Sequence, residues 1–176
     1  MFRNRWLSVL FVSYFFIGFG PVLAANSADV KAEQAEQTLH IDIPVKLEKA
    51  NVVLNIDHLA FMGDMPIAIG HLFLLAKDFN EGHTKGQIIG LFHTDAGHVV
   101  LNDRTYNASR QINTGNPYKE LIADLMKQGV QIELCGATAK AHDWVNADLL
   151  PGVKVNTDAM ARLTQLTQEG YVQITE

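Results

Sequence analysis

The chain contains one cysteine, Cys135, in the stretch VQIELCGATAKAHDW (130–144). A single thiol cannot form an internal disulfide, so it is inert and buried, paired with another chain, or kept for its reactivity. The apolar residues before it predict a strand that ends at Cys135, and the residues after it predict a helix. Because the start of a helix favours an anion, we expect a thiolate nucleophile or a persulfide at this position. The alternative is a buried cysteine that packs as a small hydrophobic residue.

Polar side chains also follow two other predicted strands. The strand NVVLNID (51–57) contains Asn55 and ends at Asp57, and the strand QIIGLFH (87–93) ends at His93, shortly before Asp95. The carboxyl ends of parallel strands meet at one edge of a sheet, and ligands bind outside that edge. We therefore expect these side chains to gather around the thiol. The predicted reactive pair is Cys135 and His93, and the predicted pocket residues are Asn55, Asp57, Asp95, Gly136 and Thr138.

Two histidines compete as partners for the thiol. His142 lies seven residues after Cys135, which on one helix means a separation of about 10 Å. This exceeds hydrogen-bond reach, so we favour His93, which arrives from a neighbouring strand. The alternative is that His93 is a strand-end histidine satisfied by the backbone. Gly136, directly after the cysteine, lacks a side chain and could let a ligand approach the sulfur.

The histidine spacing does not favour a metal site. The seven histidines show no H-x-x-x-H or H-E-x-x-H pattern, which is the spacing that metal-binding helices use. The stretch HTDAGH (93–98) with Cys135 is a weaker alternative, because zinc ligands normally lie closer together in sequence. The segment GATAKAH lacks the glycine spacing of a phosphate-binding loop. We therefore predict no metal and no cofactor.

The amino-terminal residues have the three parts of a secretory signal peptide. The positive segment MFRNR precedes the apolar run WLSVLFVSYFFIGF, and VLA ends at Ala24 with a small residue for cleavage. We predict a signal peptide over residues 1–24, a periplasmic location, and a polar linker or edge extension over residues 25–48. The alternative is an uncleaved anchor. Loss of two arginines moves the net charge from −5 to −7, which disfavours nucleic acid and anionic membrane surfaces as partners of the mature chain.

Residues 49–176 alternate between strand and helix patterns. Apolar residues recur at helical spacing before Gly82, in GNPYKELIADLMKQG (115–129) and in DAMARLTQLTQEG (158–170), and short β-branched runs lie between these segments. This alternation predicts an α/β fold with a mainly parallel sheet. The strand VQIEL places Gln131 and Glu133 on one face, whereas central parallel strands are usually apolar on both faces. That face is therefore expected to be partly covered, or to meet another subunit.

The stretch GVQIELCGATAKAHDWVNADLLPGVKVNTDAMARLTQLTQEGYVQI (129–174) resembles the carboxyl-terminal half of DsrE/DsrF-like proteins, a group associated with sulfur relay. The features that carry the resemblance are the cysteine after the third strand, LLPGVKV (149–155), and the terminal QEGYVQI. The chain looks most like an exported, single-cysteine branch. LFHTDAG (91–97) is similar to the end of the family's second strand, where a glycine normally follows the histidine; here Thr94 follows His93.

The resemblance implies a three-layer α/β/α domain with a five-stranded sheet, in trimers or hexamers. It also implies that the matching cysteine, Cys135, carries a persulfide and passes sulfur to or from a partner protein. The leading prediction is a periplasmic sulfur-handling protein in which His93 shapes the charge around Cys135. The alternative is a module of the same fold that binds a small ligand or acts through assembly, with an inert cysteine.

Overall fold

The computed structural model describes residues 39–176. The predicted signal peptide and the first part of the predicted linker lie outside these residues. Between residue 39 and the first strand, the described chain forms neither helix nor strand, and Val45–Glu176 form one compact unit. Within residues 39–176, no helix combines the length and the apolar character that a membrane crossing requires.

The compact unit alternates strands and helices. The strands are β1 (Lys49–Ile56), β2 (Phe61–Met62), β3 (Met65–Pro66), β4 (Lys85–Phe92), β5 (Gln131–Cys135), β6 (Lys154–Asn156) and β7 (Val172–Thr175). The α-helices are α1 (Ile67–Gly82), α2 (Asp103–Arg110), α3 (Lys119–Lys127), α4 (Gly136–Ala141) and α5 (Ala159–Gln168). Two 3-10 helices span Thr94–Val100 and Asn146–Asp148.

Five of these strands form one parallel sheet in the order β6-β5-β4-β1-β7. This confirms the predicted α/β fold with a parallel five-stranded sheet. The register pairs Ile56 with Phe92, and Phe92 with Leu134. Since all five strands run the same way, the residues after β1, β4 and β5 lie at one edge of the sheet.

The two faces of the sheet are covered unequally. One face packs on a large core to which α1 to α4 and the first 3-10 helix contribute. Among the described helices, α5 alone contributes to the apolar cluster on the other face, through Ala159, Leu163 and Leu166. Beside α5, a polar cleft of about 580 Å³ is lined by side chains that include Gln131 and Glu133. The incomplete cover agrees with the alternation of polar and apolar residues in β5.

Local contacts set where two of the helices begin. The helix α1 begins after Pro66, because Met65 and Pro66 pair with β2. The helix α3 begins at Lys119, after a turn in which the Asn116 side chain accepts a hydrogen bond from the Tyr118 N–H. The sequence pattern missed α2, because DRTYNASR (103–110) buries only one residue and therefore shows no apolar period.

Asn116 fastens the loop that follows β4 to the start of α3. Its side chain is 2% exposed, and its amide nitrogen donates to the backbone oxygens of Val99 at 2.8 Å and Leu101 at 2.6 Å. These carbonyl groups are buried, so the amide satisfies acceptors that would otherwise lack a partner. Asn116 thus fixes the path of the chain directly after the strand that carries His93.

We predict that Asn116→Ala lowers the free energy of unfolding by about 2–4 kcal/mol, because buried carbonyl groups lose their donor. Urea denaturation followed by circular dichroism measures this loss. Asn113→Ala is the matched control, since Asn113 is exposed in the same loop and its loss should cost less than about 0.5 kcal/mol. Equal effects of the two substitutions would contradict this role for Asn116.

Candidate functional site

Cys135 is the last residue of β5 and the residue before α4. Its side chain is 4% exposed. The Sγ atom accepts a hydrogen bond from the backbone N–H of Ala159 at 3.2 Å. Ala159 is the first residue of α5, so the free amide of a ten-residue helix is directed at the sulfur.

The helix that serves the sulfur is therefore not the one expected from sequence. Cys135 immediately precedes α4, but its side chain makes no capping hydrogen bond to that helix. The donor comes instead from α5, which follows β6, the strand beside β5 in the sheet. An N–H donor at a helix start stabilises negative charge on its acceptor. The contact thus gives the sulfur a hydrogen-bond donor at the start of a helix.

The thiol lines an open pocket of about 640 Å³. Its wall is made largely of small residues, including Ala137, Ala141 and Ala159, and the side chain of Met160 lies at the same site. The ionisable groups beside Cys135 in this pocket are His93, His142 and Asp158. Cys135 is thus almost fully buried and borders a pocket that is open to solvent.

His93 lies beside Cys135, because Phe92 and Leu134 are partners in the register of β4 and β5. Its Nε2 is 2.8 Å from Asn55 Oδ1, and the side chain is 8% exposed. An amide oxygen can only accept, so Nε2 carries the hydrogen and donates. In the neutral ring Nδ1 is then an unprotonated acceptor.

Burial lowers the pKa of His93 below its usual 6.5, and the Asp57 carboxylate offsets this only in part. The ring is therefore neutral at pH 7 and acts as a hydrogen-bond acceptor or base. This refines the expectation that His93 shapes the charge around the thiol. The environment supplies a basic nitrogen and not a fixed cation.

Thr94 occupies an unusual backbone conformation next to His93. Its φ is 46°, in the left-handed region that glycine adopts freely and that costs other residues roughly 1–2 kcal/mol. The Thr94 N–H donates to Thr138 Oγ1 at 3.0 Å, and the Thr94 hydroxyl donates to the Asp57 carbonyl oxygen. These bonds hold the turn in place. The positive φ of Thr94 also agrees with the glycine that the resemblance leads us to expect after this histidine.

The predicted pocket residues have different positions. Thr138 lines the pocket with Cys135. Asn55 lies behind His93 and orients its ring. Asp57 lies outside the pocket, where the hydrogen bond to His58 lowers its pKa. Asp95 faces away toward Arg110, to which it forms an ion pair at 3.3 Å.

Gly136 is placed for close packing of the chain. A Cβ atom at this position would lie 2.4 Å from the Asn156 carbonyl oxygen and 2.9 Å from that of Thr157. The backbone after β6, and not a ligand, occupies the space beside this glycine. Its small size brings the turn after β5 against the end of β6, which leads to α5.

The sequence spacing disfavoured His142 and did not point to Asp158 or Met160, and all three line the pocket. His142 follows α4, which ends at Ala141, and its ring stacks on Trp144 with centroids 4.4 Å apart. Asp158 caps α5 by accepting the Ala161 N–H at 2.8 Å, and Met160 lies in the first turn. Asp158 is the first residue of the predicted helical segment 158–170, but its position next to Cys135 depends on the order of the strands in the sheet. Within residues 39–176, no group of three potential ligands is arranged to hold a metal ion.

We predict that the His93 imidazole titrates with a midpoint below 6.5, as followed by proton NMR of its ring. The shift follows from burial of the ring, which disfavours the charged form. Because the folded-state pKa is depressed, the stability linked to neutral His93 is present above pH 6.5 and is lost as the pH falls through the folded-state value.

Asn55→Asp tests the same environment, because a carboxylate facing Nε2 raises the pKa of His93. Asn51→Asp is the matched control on the same strand, since Asn51 accepts from the Gln87 N–H at the other end of β1. A wild-type midpoint at or above 6.5, or equal responses to the two aspartates, would overturn this description of the ring.

Searches against known proteins show which structures and which family this chain resembles. A search of curated proteins gave no match. The chain is similar in structure to the protein of unknown function MTH1491 from Methanobacterium thermoautotrophicum, with 21% identity, a TM-score of 0.58, and coverage of 72% of this chain and 99% of that one. It is also similar to the ychN protein from E. coli, with 17% identity, a TM-score of 0.51, and coverage of 73% and 99%. These likenesses concern the fold alone. A family profile matches residues 66–175, and the chain therefore belongs to the DsrE/DsrF-like family.

Proposed function

We propose that the chain carries sulfane sulfur as a persulfide on Cys135. The observation that supports this most is the hydrogen bond from the Ala159 N–H to Sγ, combined with the opening of the sulfur to a pocket. A thiolate is both the nucleophile and the leaving group of sulfur transfer. One amide donor that stabilises the thiolate therefore assists loading and release.

The transfer needs no external oxidant or reductant when the donor is itself a persulfide or polysulfide. In loading, the Cys135 thiolate attacks a sulfane sulfur of the donor, a new S–S bond forms, and the donor's S–S bond breaks to release a thiolate or hydrosulfide. In release, the thiolate of an acceptor attacks the outer sulfur, and the Cys135 thiolate leaves. The neutral His93 ring, which lines the same pocket, is the base that would take the thiol proton before loading.

The burial of the sulfur suits an oxidising compartment. Cys135 is the only cysteine of the chain and is 4% exposed, so a disulfide with another molecule forms only when the incoming thiol reaches into the pocket. A small sulfur donor can still enter the pocket. Export to the periplasm, assembly into trimers or hexamers, and a protein that supplies or accepts the sulfur stay predictions from the sequence and the resemblance.

The competing function is a module that binds a small ligand in the same pocket, with Cys135 as a packing residue. The low exposure of the thiol favours it, since buried cysteines often behave as small hydrophobic residues. The two functions differ in the reactivity of one atom, so loading separates them.

We predict that incubation of residues 25–176 with inorganic polysulfide adds one sulfur atom to the native protein, as read by intact-mass spectrometry. Dithiothreitol should remove the added mass. Cys135→Ser, which keeps the side-chain size but lacks the thiol, is the control and should gain nothing. Absence of loading in the wild type, or equal loading of the serine variant, would reject the carrier and leave the binding module.

A further inference from the structure

Glu133 lies two residues before Cys135 on the same face of β5 and is 2% exposed. Its carboxylate receives a two-pronged contact from Arg162 of α5. The Arg162 Nη2 lies 2.8 Å from Oε1, and the Nε lies 3.0 Å from Oε2. A planar guanidinium that meets a carboxylate at two points fixes both distance and orientation between its elements.

The same two elements meet a second time at the thiol. Arg162 follows Ala159 by three residues, so both belong to the first turn of α5. Glu133 and Cys135 project to one face of β5, because side chains alternate along a strand. The Ala159–Cys135 contact and the Arg162–Glu133 contact thus join the same helical turn to the same strand end.

The carboxylate is held in its charged form. Burial raises the pKa of Glu133, but hydrogen bonds from Arg162, Asn156 and Gln131 together bring it below its usual range. The Asn156 Nδ2 donates to Oε2 at 3.0 Å, and the Gln131 Nε2 donates to Oε1 at 2.6 Å. The acceptor for Arg162 is therefore oriented from several sides.

A buried ion pair of this kind need not stabilise the fold. Taking two charges out of water costs several kcal/mol per ion in real proteins, and uncharged replacements of buried pairs are often neutral or stabilising. The planar Arg162 guanidinium, which contacts Glu133 at two points, is however well suited to fix the start of α5 relative to β5. No other described ion pair joins α5 to the sheet.

We propose that Glu133 and Arg162 are positioning residues for Cys135. They lock the first turn of α5 against β5, so that the Ala159 N–H stays directed at Sγ. This inference deepens the proposed sulfur-carrier function and rests on it for its biological meaning. The effect of the pair on the thiol can be measured by alkylation, which needs no sulfur donor.

The test is the pH profile of Cys135 alkylation by iodoacetamide in the native protein. In the double variant Glu133→Gln/Arg162→Met, which leaves no orphan charge, the midpoint of the profile should move up by about one pH unit, because the charged sulfur loses a well-placed donor. Asp103→Asn/Lys119→Met removes an ion pair of 2.6 Å outside β5 and α5, and its profile should match the wild type. The ionisable pocket residues are the same in all of these variants.

Replacing Ala159 by lactic acid, which exchanges the backbone N–H for an ester oxygen, shows whether the pair acts through the amide. The exchange removes only the hydrogen that faces Sγ and adds no atom between this position and the sulfur, which are 3.2 Å apart, and the ester-containing segment can be joined by ligation at Cys135. The variant should therefore fold while lacking the N–H that faces the sulfur. Its profile should move up by a similar amount, and adding Glu133→Gln/Arg162→Met should give no further shift.

An unchanged midpoint in the double variant, or a shift that simply adds to that of the Ala159 ester, overturns the inference. Arg162→Lys keeps the charge without the two-point contact and should lie between the wild type and the double variant, so it provides a second reading if the double variant is poorly folded. Failure of polysulfide loading with a shifted alkylation profile would reject the carrier function and leave the positioning role standing.

Discussion

The structure of the site depends on the hydrogen bond between the first amide of α5 and the sulfur of Cys135. Every other feature of the pocket acts on this contact or surrounds it. Cys135 lies at the end of β5, and α5 follows the turn after β6. Gly136 allows these two segments to pack closely, because a side chain there would collide with the Asn156 carbonyl oxygen. A cysteine in the same strand without this helix would be an ordinary buried thiol.

The two faces of the sheet differ in how they are covered. The face covered by α1 to α4 holds the larger apolar core. The face under α5 holds a smaller apolar cluster that includes Cys135, beside a polar cleft that includes the Glu133–Arg162 pair. Because fewer helices cover this second face, the position of α5 depends strongly on specific polar contacts. The contacts at the start of α5 therefore lie apart from the main core.

Much of the fold could be predicted from local patterns, whereas the site could be predicted only in part. Strand ends such as Cys135 and His93 follow from β-branched runs that stop at turn residues, and parallel pairing then brings them to one edge. The contact with Ala159 could not be predicted, because it depends on β6 lying next to β5, which no local pattern encodes. His142 was set aside because a continuous helix was assumed, but α4 ends at Ala141 and His142 lines the pocket.

Residues with unusual geometry explain where sequence patterns misled. Thr94 stands where the resemblance implies a glycine, and it keeps the left-handed backbone through hydrogen bonds to Thr138 and Asp57. Asp57 and Asp95 follow strand ends but turn outward, where His58 and Arg110 bind them. Their positions in the sequence predict that these side chains lie near the carboxyl edge of the sheet. Whether each one faces the sulfur depends on its hydrogen-bond or ion-pair partner.

The most direct measurement is the amide resonance of Ala159 in a nitrogen-15 NMR spectrum, recorded against pH and again after sulfur loading. If the amide donates to the sulfur, its proton and nitrogen shifts follow the ionisation of the Cys135 thiol and change once more when the persulfide forms. The same resonance in Cys135→Ala should lack both responses. Ala159 amide shifts that do not change with the ionisation or the sulfur loading of Cys135 in the native protein would contradict a hydrogen bond between this amide and the sulfur.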